Sequence, residues 1–201
     1  MIKRLLYLIF IVVILLSCEN KQNYTVKEEY KENFIKNGSE ITAAAFNQLS
    51  SKLKNAIMHG GFEGAVEYCN LNVNQLMNSL EKDLNVKISR VSDKNRNPKN
   101  KANDEELKII EDYKQDINDK LKLFPTLRAN QKDVIFYSPI KTLPLCLNCH
   151  GEANHQINTP TLNIINEKYP EDKATGYKID ELRGLWKIVF ENQKESIEIV
   201  K

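Results

Sequence analysis

Cys146-Leu147-Asn148-Cys149-His150 is the segment whose residue types and spacing carry the most chemistry. Two thiols separated by two residues reach one edge of a porphyrin and add to its vinyl groups, and the adjacent histidine lies close enough to bind the iron through Nε2. Three other readings compete. A structural zinc site wants four Cys or His ligands, and in the mature chain only Cys69, His59 and His155 remain to complete one. A redox dithiol wants a strand before it and a helix after it, whereas Pro144 precedes this segment and Gly151 follows it. A structural disulfide or an incidental pair is the plainest alternative. The residues favour one covalently attached haem c, with Cys146 and Cys149 as the attachment points and His150 as the proximal iron ligand.

Haem of this kind is attached outside the bacterial cytoplasm, and the N-terminus carries an export address. Lys3 and Arg4 precede an apolar stretch from Leu5 to Leu16, which is shorter than the roughly 20 residues a spanning helix needs. Leu15-Leu16-Ser17-Cys18 resembles the bacterial lipobox, so residues 1–17 read as a lipoprotein signal peptide and Cys18 as the lipidated residue. Two or three acyl chains hold a protein on a membrane far better than one. Residues 18–40 read as a polar tether and 41–201 as the haem domain. The expected location is extracytoplasmic, periplasm or cell surface, with a lipid anchor to a bacterial membrane.

Composition agrees with one such domain. The chain has 201 residues, 41% hydrophobic and 28% charged, with seven Gly and six Pro. Its formal charge of +2 falls to zero once Lys3 and Arg4 leave with the signal. No concentrated basic stretch is present, which excludes a general nucleic-acid binder.

The elements that must position the motif follow from periodicity. Ile41 to Met58 repeats apolar residues every three to four positions and predicts a helix ended by Gly60-Gly61; Phe62 to about Lys82 predicts a second, with Cys69 on its apolar stripe. Val86 to Val91 reads as a strand, Asn95 to Asn103 as a polar loop and Asp104 to Leu121 as a third helix. Asp133 to Ile140 reads as a strand. Leu185 to Phe190, with Ile197 to Val200, reads as closing strands entered by a turn at Arg183-Gly184. Helices first and strands later predict an α+β domain with an antiparallel sheet.

With Cys18 assigned to lipid and Cys146 and Cys149 to haem, Cys69 has no partner. It is either a small buried hydrophobe or a thiolate ligand on the other face of the iron, and the residues alone leave both open. His59, Met58, Met77 and His155 are rival ligands. Arg96, Lys173, Arg183 and Tyr177 are candidates for haem propionates, though loop-ordering hydrogen bonds and a solvated lysine are the plainer account. Trp186 and Phe190 read as core.

Several blocks in order resemble a family of extracytoplasmic, PAS-like, single-haem c-type domains, found alone or as the sensing part of histidine kinases and chemoreceptors. The blocks are Gly61 to Cys69, Ile88 to Asn100 with Arg96-Asn97-Pro98, Tyr137-Ser138-Pro139-Ile140 leading into the haem motif, Tyr169 to Tyr177, and Leu182-Arg183-Gly184. The resemblance implies a PAS-like antiparallel sheet with N-terminal helices packed across it. It also implies iron bound by the motif histidine and by a cysteine of the early helix, here His150 and Cys69. Phe62 departs from the family, where proline often follows the glycines.

Two functions are consistent with this reading: a redox or ligand sensor, and a single-haem electron carrier passing electrons to a separate partner protein. A peroxidase-like enzyme would need a distal acid–base group, for which His59 is the lone candidate outside the haem loop, so no catalytic residue is expected.

Overall fold

In the computed structural model, which describes residues 22–200, inward and outward residues alternate along the strands and the sheet is covered on both sides. The elements are β1 (Tyr24–Val26), α1 (Glu28–Leu71), α2 (Val73–Leu84), β2 (Lys87–Val91), α3 (Asp104–Asn118), β3 (Thr126–Ala129), β4 (Val134–Lys141), α4 (Leu147–His150), α5 (Thr159–Lys168), β5 (Leu182–Phe190) and β6 (Ile197–Ile199). The strands form a six-stranded sheet in the order β2-β5-β4-β3-β1-β6, with every pairing antiparallel. This is the expected α+β fold, with the long N-terminal helix packed on the sheet. The signal peptide and Cys18 lie outside the described residues.

Period-two alternation divides the core. Val134 and Phe136 of β4, Trp186, Ile188 and Phe190 of β5, and Ile88 of β2 pack under α1 and α2 with Ala45, Val73, Met77 and Leu80. Tyr137 of β4, Leu185 of β5 and Val91 of β2 face the other way, against Ile109, Ile110 and Tyr113 of α3. Asn103 and Glu106 form a reciprocal capping box that starts α3. Glu106, buried beneath it, also accepts from Lys187 Nζ at 2.7 Å and Tyr137 Oη at 3.3 Å, fixing α3 to the sheet.

The expected tether is corrected by the structure. Tyr24–Val26 pairs with both β3 and β6, and α1 begins at Glu28 instead of Ile41. The helix buries Phe34, Gly38, Thr42 and Ala45. That stripe is hidden from a count of large apolar residues because two of its members are a glycine and a threonine. Gly38 lies on the Phe136 ring, and a Cβ there would overlap it. Gly38→Ala gains at most about 1 kcal/mol of helix propensity. Overpacking against a fully buried ring costs about 1–3 kcal/mol, so a net loss of stability is expected in urea unfolding.

The expected break at Gly60-Gly61 is present inside α1, where Gly61 has φ 64°. The helix expected from Phe62 to Lys82 is interrupted at Asn72, so α1 ends at Leu71 and α2 starts at Val73. Arg183-Gly184 belongs to β5 and is not a turn; Gly184 has φ 154°, and its missing Cβ leaves room for the Val91 carbonyl. β3 and α5 carry too little periodic pattern to be read from the sequence.

Candidate haem site

Residues 146–150 form a single helical turn. Pro144–Cys146 is a short 3₁₀ turn that runs directly into α4, Leu147–His150. Positions three and four apart on such a turn share a side, so Cys146, Cys149 and His150 point to a common region. The thiols are free. Leu147 anchors the turn in the core.

His150 is held by residues 174–177. Its Nδ1 lies 2.8 Å from the Ala174 carbonyl oxygen. A carbonyl only accepts, so Nδ1 carries the proton and Nε2 is the nitrogen with its lone pair free. Backbone bonds from Tyr177 N to His150 O and from Gly176 N to Gly151 O, at 2.9 and 2.7 Å, close the same loop onto the turn. The Tyr177 ring stands edge-on to the imidazole at 6.4 Å. Burial, then the Arg183 and Arg96 charges, hold the His150 pKa well below the usual histidine range, so the ring is neutral.

Cys69 meets this region from α1. Val66, one turn before it, forms a small core with Ile157, Ile165 and Tyr169, against which Cys149 packs. Cys69 itself packs against the main core, to which Met77 belongs. Thr161 Oγ1 donates to Glu63 Oε1 at 2.7 Å and ties α5 to the same stretch of α1. Burial pushes the Cys69 thiol up, while Arg90 and then Arg96 pull it back. The Cys149 thiol is pushed up to about 11 by burial, opposed by Arg96 and reinforced by Cys69. Arg96 is the one arginine whose charge acts on Cys69, Cys149 and His150 alike.

The rival ligands fare differently. Met58 is 71% exposed. His59 is exposed, with Nδ1 2.7 Å from the Asn55 carbonyl of its own helix. His155 is exposed beside Glu152. Met77 alone is buried, in the core that Cys69 touches.

The propionate candidates divide too. Arg96 orders loops: it pairs bidentately with Asp172 at 3.1 and 3.0 Å and donates to the carbonyls of Cys149 and Ala174. Lys173 is exposed. Arg183 Nη1 reaches Ser92 Oγ and the Lys94 carbonyl. Its Nε and the Tyr177 hydroxyl are buried without hydrogen-bond partners among the described residues. Trp186 and Phe190 are core residues, as expected.

Arg90 was not singled out by the sequence reading. The signal was its parity: Val86 and Ile88 point inward, and an arginine two positions on must do the same.

These residues fit a haem. Two free thiols share a turn with an imidazole fixed in the Nδ1–H tautomer, the usual way a protein orients a metal-binding histidine. Arg96 binds the Cys149 carbonyl, and Tyr177, whose buried hydroxyl has no partner among the described residues, stands edge-on to the imidazole. Among the described residues no group of three or more His, Cys, Asp or Glu stands where it could hold a metal ion.

A family model described as Tll0287-like matches residues 13–190. The crystal structure of the cyanobacterial heme-protein Tll0287 is similar at 21% identity and a TM-score of 0.54, covering 75% of this chain and 92% of that one. At that identity the likeness is one of fold. No curated protein matches the chain.

Proposed function

The chain belongs to the Tll0287-like family, and from that premise we propose that it is a lipid-anchored, extracytoplasmic haem protein that senses redox state or a small ligand. One haem c is attached through Cys146 and Cys149, with His150 and Cys69 as iron ligands and Cys18 as the lipidated residue. The observation that carries the reading is the turn at 146–150, with both thiols beside an imidazole whose Nδ1 is engaged by Ala174 at 2.8 Å and whose Nε2 is free. A bound haem would supply one-electron iron chemistry and a centre able to take up a diatomic ligand.

The chain's own residues do the rest. Ala174 fixes the tautomer and direction of His150. Arg96 holds the Cys149 carbonyl and the 172–174 loop in register. Cys69 rides on residues 62–71, bounded by Gly60-Gly61 on one side and Asn72 on the other. With a haem bound, Cys69 would tie residues 62–71 to it, and the break at Gly60-Gly61 would let that stretch shift against the rest of α1, which favours sensing over a carrier whose ligands stay in place. The motion would be read by a separate signalling or redox partner protein.

Expression of the full chain in a host that matures c-type cytochromes tests the attachment. The denatured polypeptide should exceed its bare mass by one haem, and Cys146→Ser with Cys149→Ser should abolish the excess. A colourless product of bare mass overturns the reading. Reduction under carbon monoxide separates the roles: carbon monoxide binding with loss of the Cys69 bond supports sensing, and unchanged ligation with rapid electron exchange identifies a carrier.

A further inference from the structure

Three arginines surround the site, and they differ in what they touch. Arg96 is bound to a carboxylate and two carbonyls. Arg183 is bound to a hydroxyl and a carbonyl. Arg90 makes no side-chain hydrogen bond and has no carboxylate within 4.0 Å among the described residues.

Its place in the sheet removes it in part from water. Arg90 pairs with Trp186 across β2 and β5, and Ile88 pairs with Ile188. Directly paired residues share a face, and Ile88, Trp186 and Ile188 all belong to the core beneath α1 and α2. The guanidinium carbon lies 5.9 Å from the centre of the Trp186 ring. Cation–π contact contributes about 0.5–2 kcal/mol. Arg90 is half-buried, and a cation partly removed from water with no anion beside it keeps part of the desolvation penalty, so an anion arriving at the site would find it unpaired. Cys69 packs against the same core.

We propose that Arg90 is an anion-pairing residue of the haem site: set on the apolar face of the sheet near Cys69, it pairs with negative charge that comes with the bound group. That charge is either the Cys69 thiolate sulfur or a porphyrin carboxylate. The inference rests on the haem reading above and deepens it.

The test uses the full chain loaded with haem, with loading checked by denatured mass before any titration. Reduction adds negative charge to the site, and a nearby cation favours the reduced form. Arg90→Met should lower the ferrous-to-ferric ratio at a fixed ambient potential about tenfold, equivalent to ~59 mV for one electron. Arg90→Lys should stay within about threefold of the parent; Arg90→Gln replaces the methionine variant if that one does not load. In a Cys69→Ala background, a shift that disappears identifies the thiolate as the partner, and a shift that persists identifies a porphyrin carboxylate. An unchanged ratio in the neutral variants, or an equal shift in Arg90→Lys, overturns the role of Arg90. A parent chain that takes up no haem overturns the function itself, and the mass shows which has failed.

Discussion

Replacing Cys69 by alanine is expected to turn the ferric spectrum of the haem-loaded chain from low-spin and six-coordinate into a high-spin or differently ligated form. Spin state follows axial ligand field, and if Cys69 binds the iron as proposed, its removal leaves a weaker set. The change in packing is small: a half-buried thiol loses one heavy atom, which costs about 1 kcal/mol, so the fold should survive to be measured. Met77 is the natural substitute, since it is 6% exposed and shares the core that Cys69 touches. A Cys69→Ala chain that stays low-spin but turns high-spin on adding Met77→Leu would show a methionine stepping in. A Cys69→Ala spectrum identical to the parent's, with Met77 absent as well, removes Cys69 from the ligand set.

The parts of this site legible in the sequence are those whose geometry is local. Cys146, Cys149 and His150 lie on one turn, and one turn fixes their relation whatever the rest of the fold does. Cys69 was visible as an unpaired thiol on a helical stripe, because the period of 3.6 places it on a face without saying what that face meets. What was hidden depended on contacts between distant segments. The Ala174 carbonyl that orients His150 is a backbone atom 24 positions away and leaves no mark on residue identity. The small-residue stripe of α1 at Gly38 and Thr42 is a close helix–sheet approach, which reads as polarity until Phe136 is placed beneath it. Arg90 sits between these cases: its inward parity could be read, but its want of a partner required the register with Trp186.

Arg96→Met is expected to cost about 3–5 kcal/mol of stability, the usual effect of removing one member of a buried ion pair. The side chains of Arg96 and Asp172 are only 10% and 6% exposed, so the stranded carboxylate cannot turn to water. The Cys149 and Ala174 carbonyls lose a donor at the same moment. Arg96→Lys should recover little, because one ammonium cannot reproduce a bidentate fork together with bonds to two carbonyls. The consequence extends beyond stability, since Ala174 is also the acceptor for His150 Nδ1. A loosened 172–174 loop frees the imidazole to rotate or change tautomer, so haem-loaded Arg96→Met should show a mixture of ferric spectra alongside its lower urea midpoint. Asp172→Leu added to Arg96→Met tests the electrostatic part. If the stranded carboxylate causes the loss, the double variant regains much of the midpoint while the spectra stay mixed; if it regains nothing, the carbonyl bonds and packing of Arg96 carry the effect.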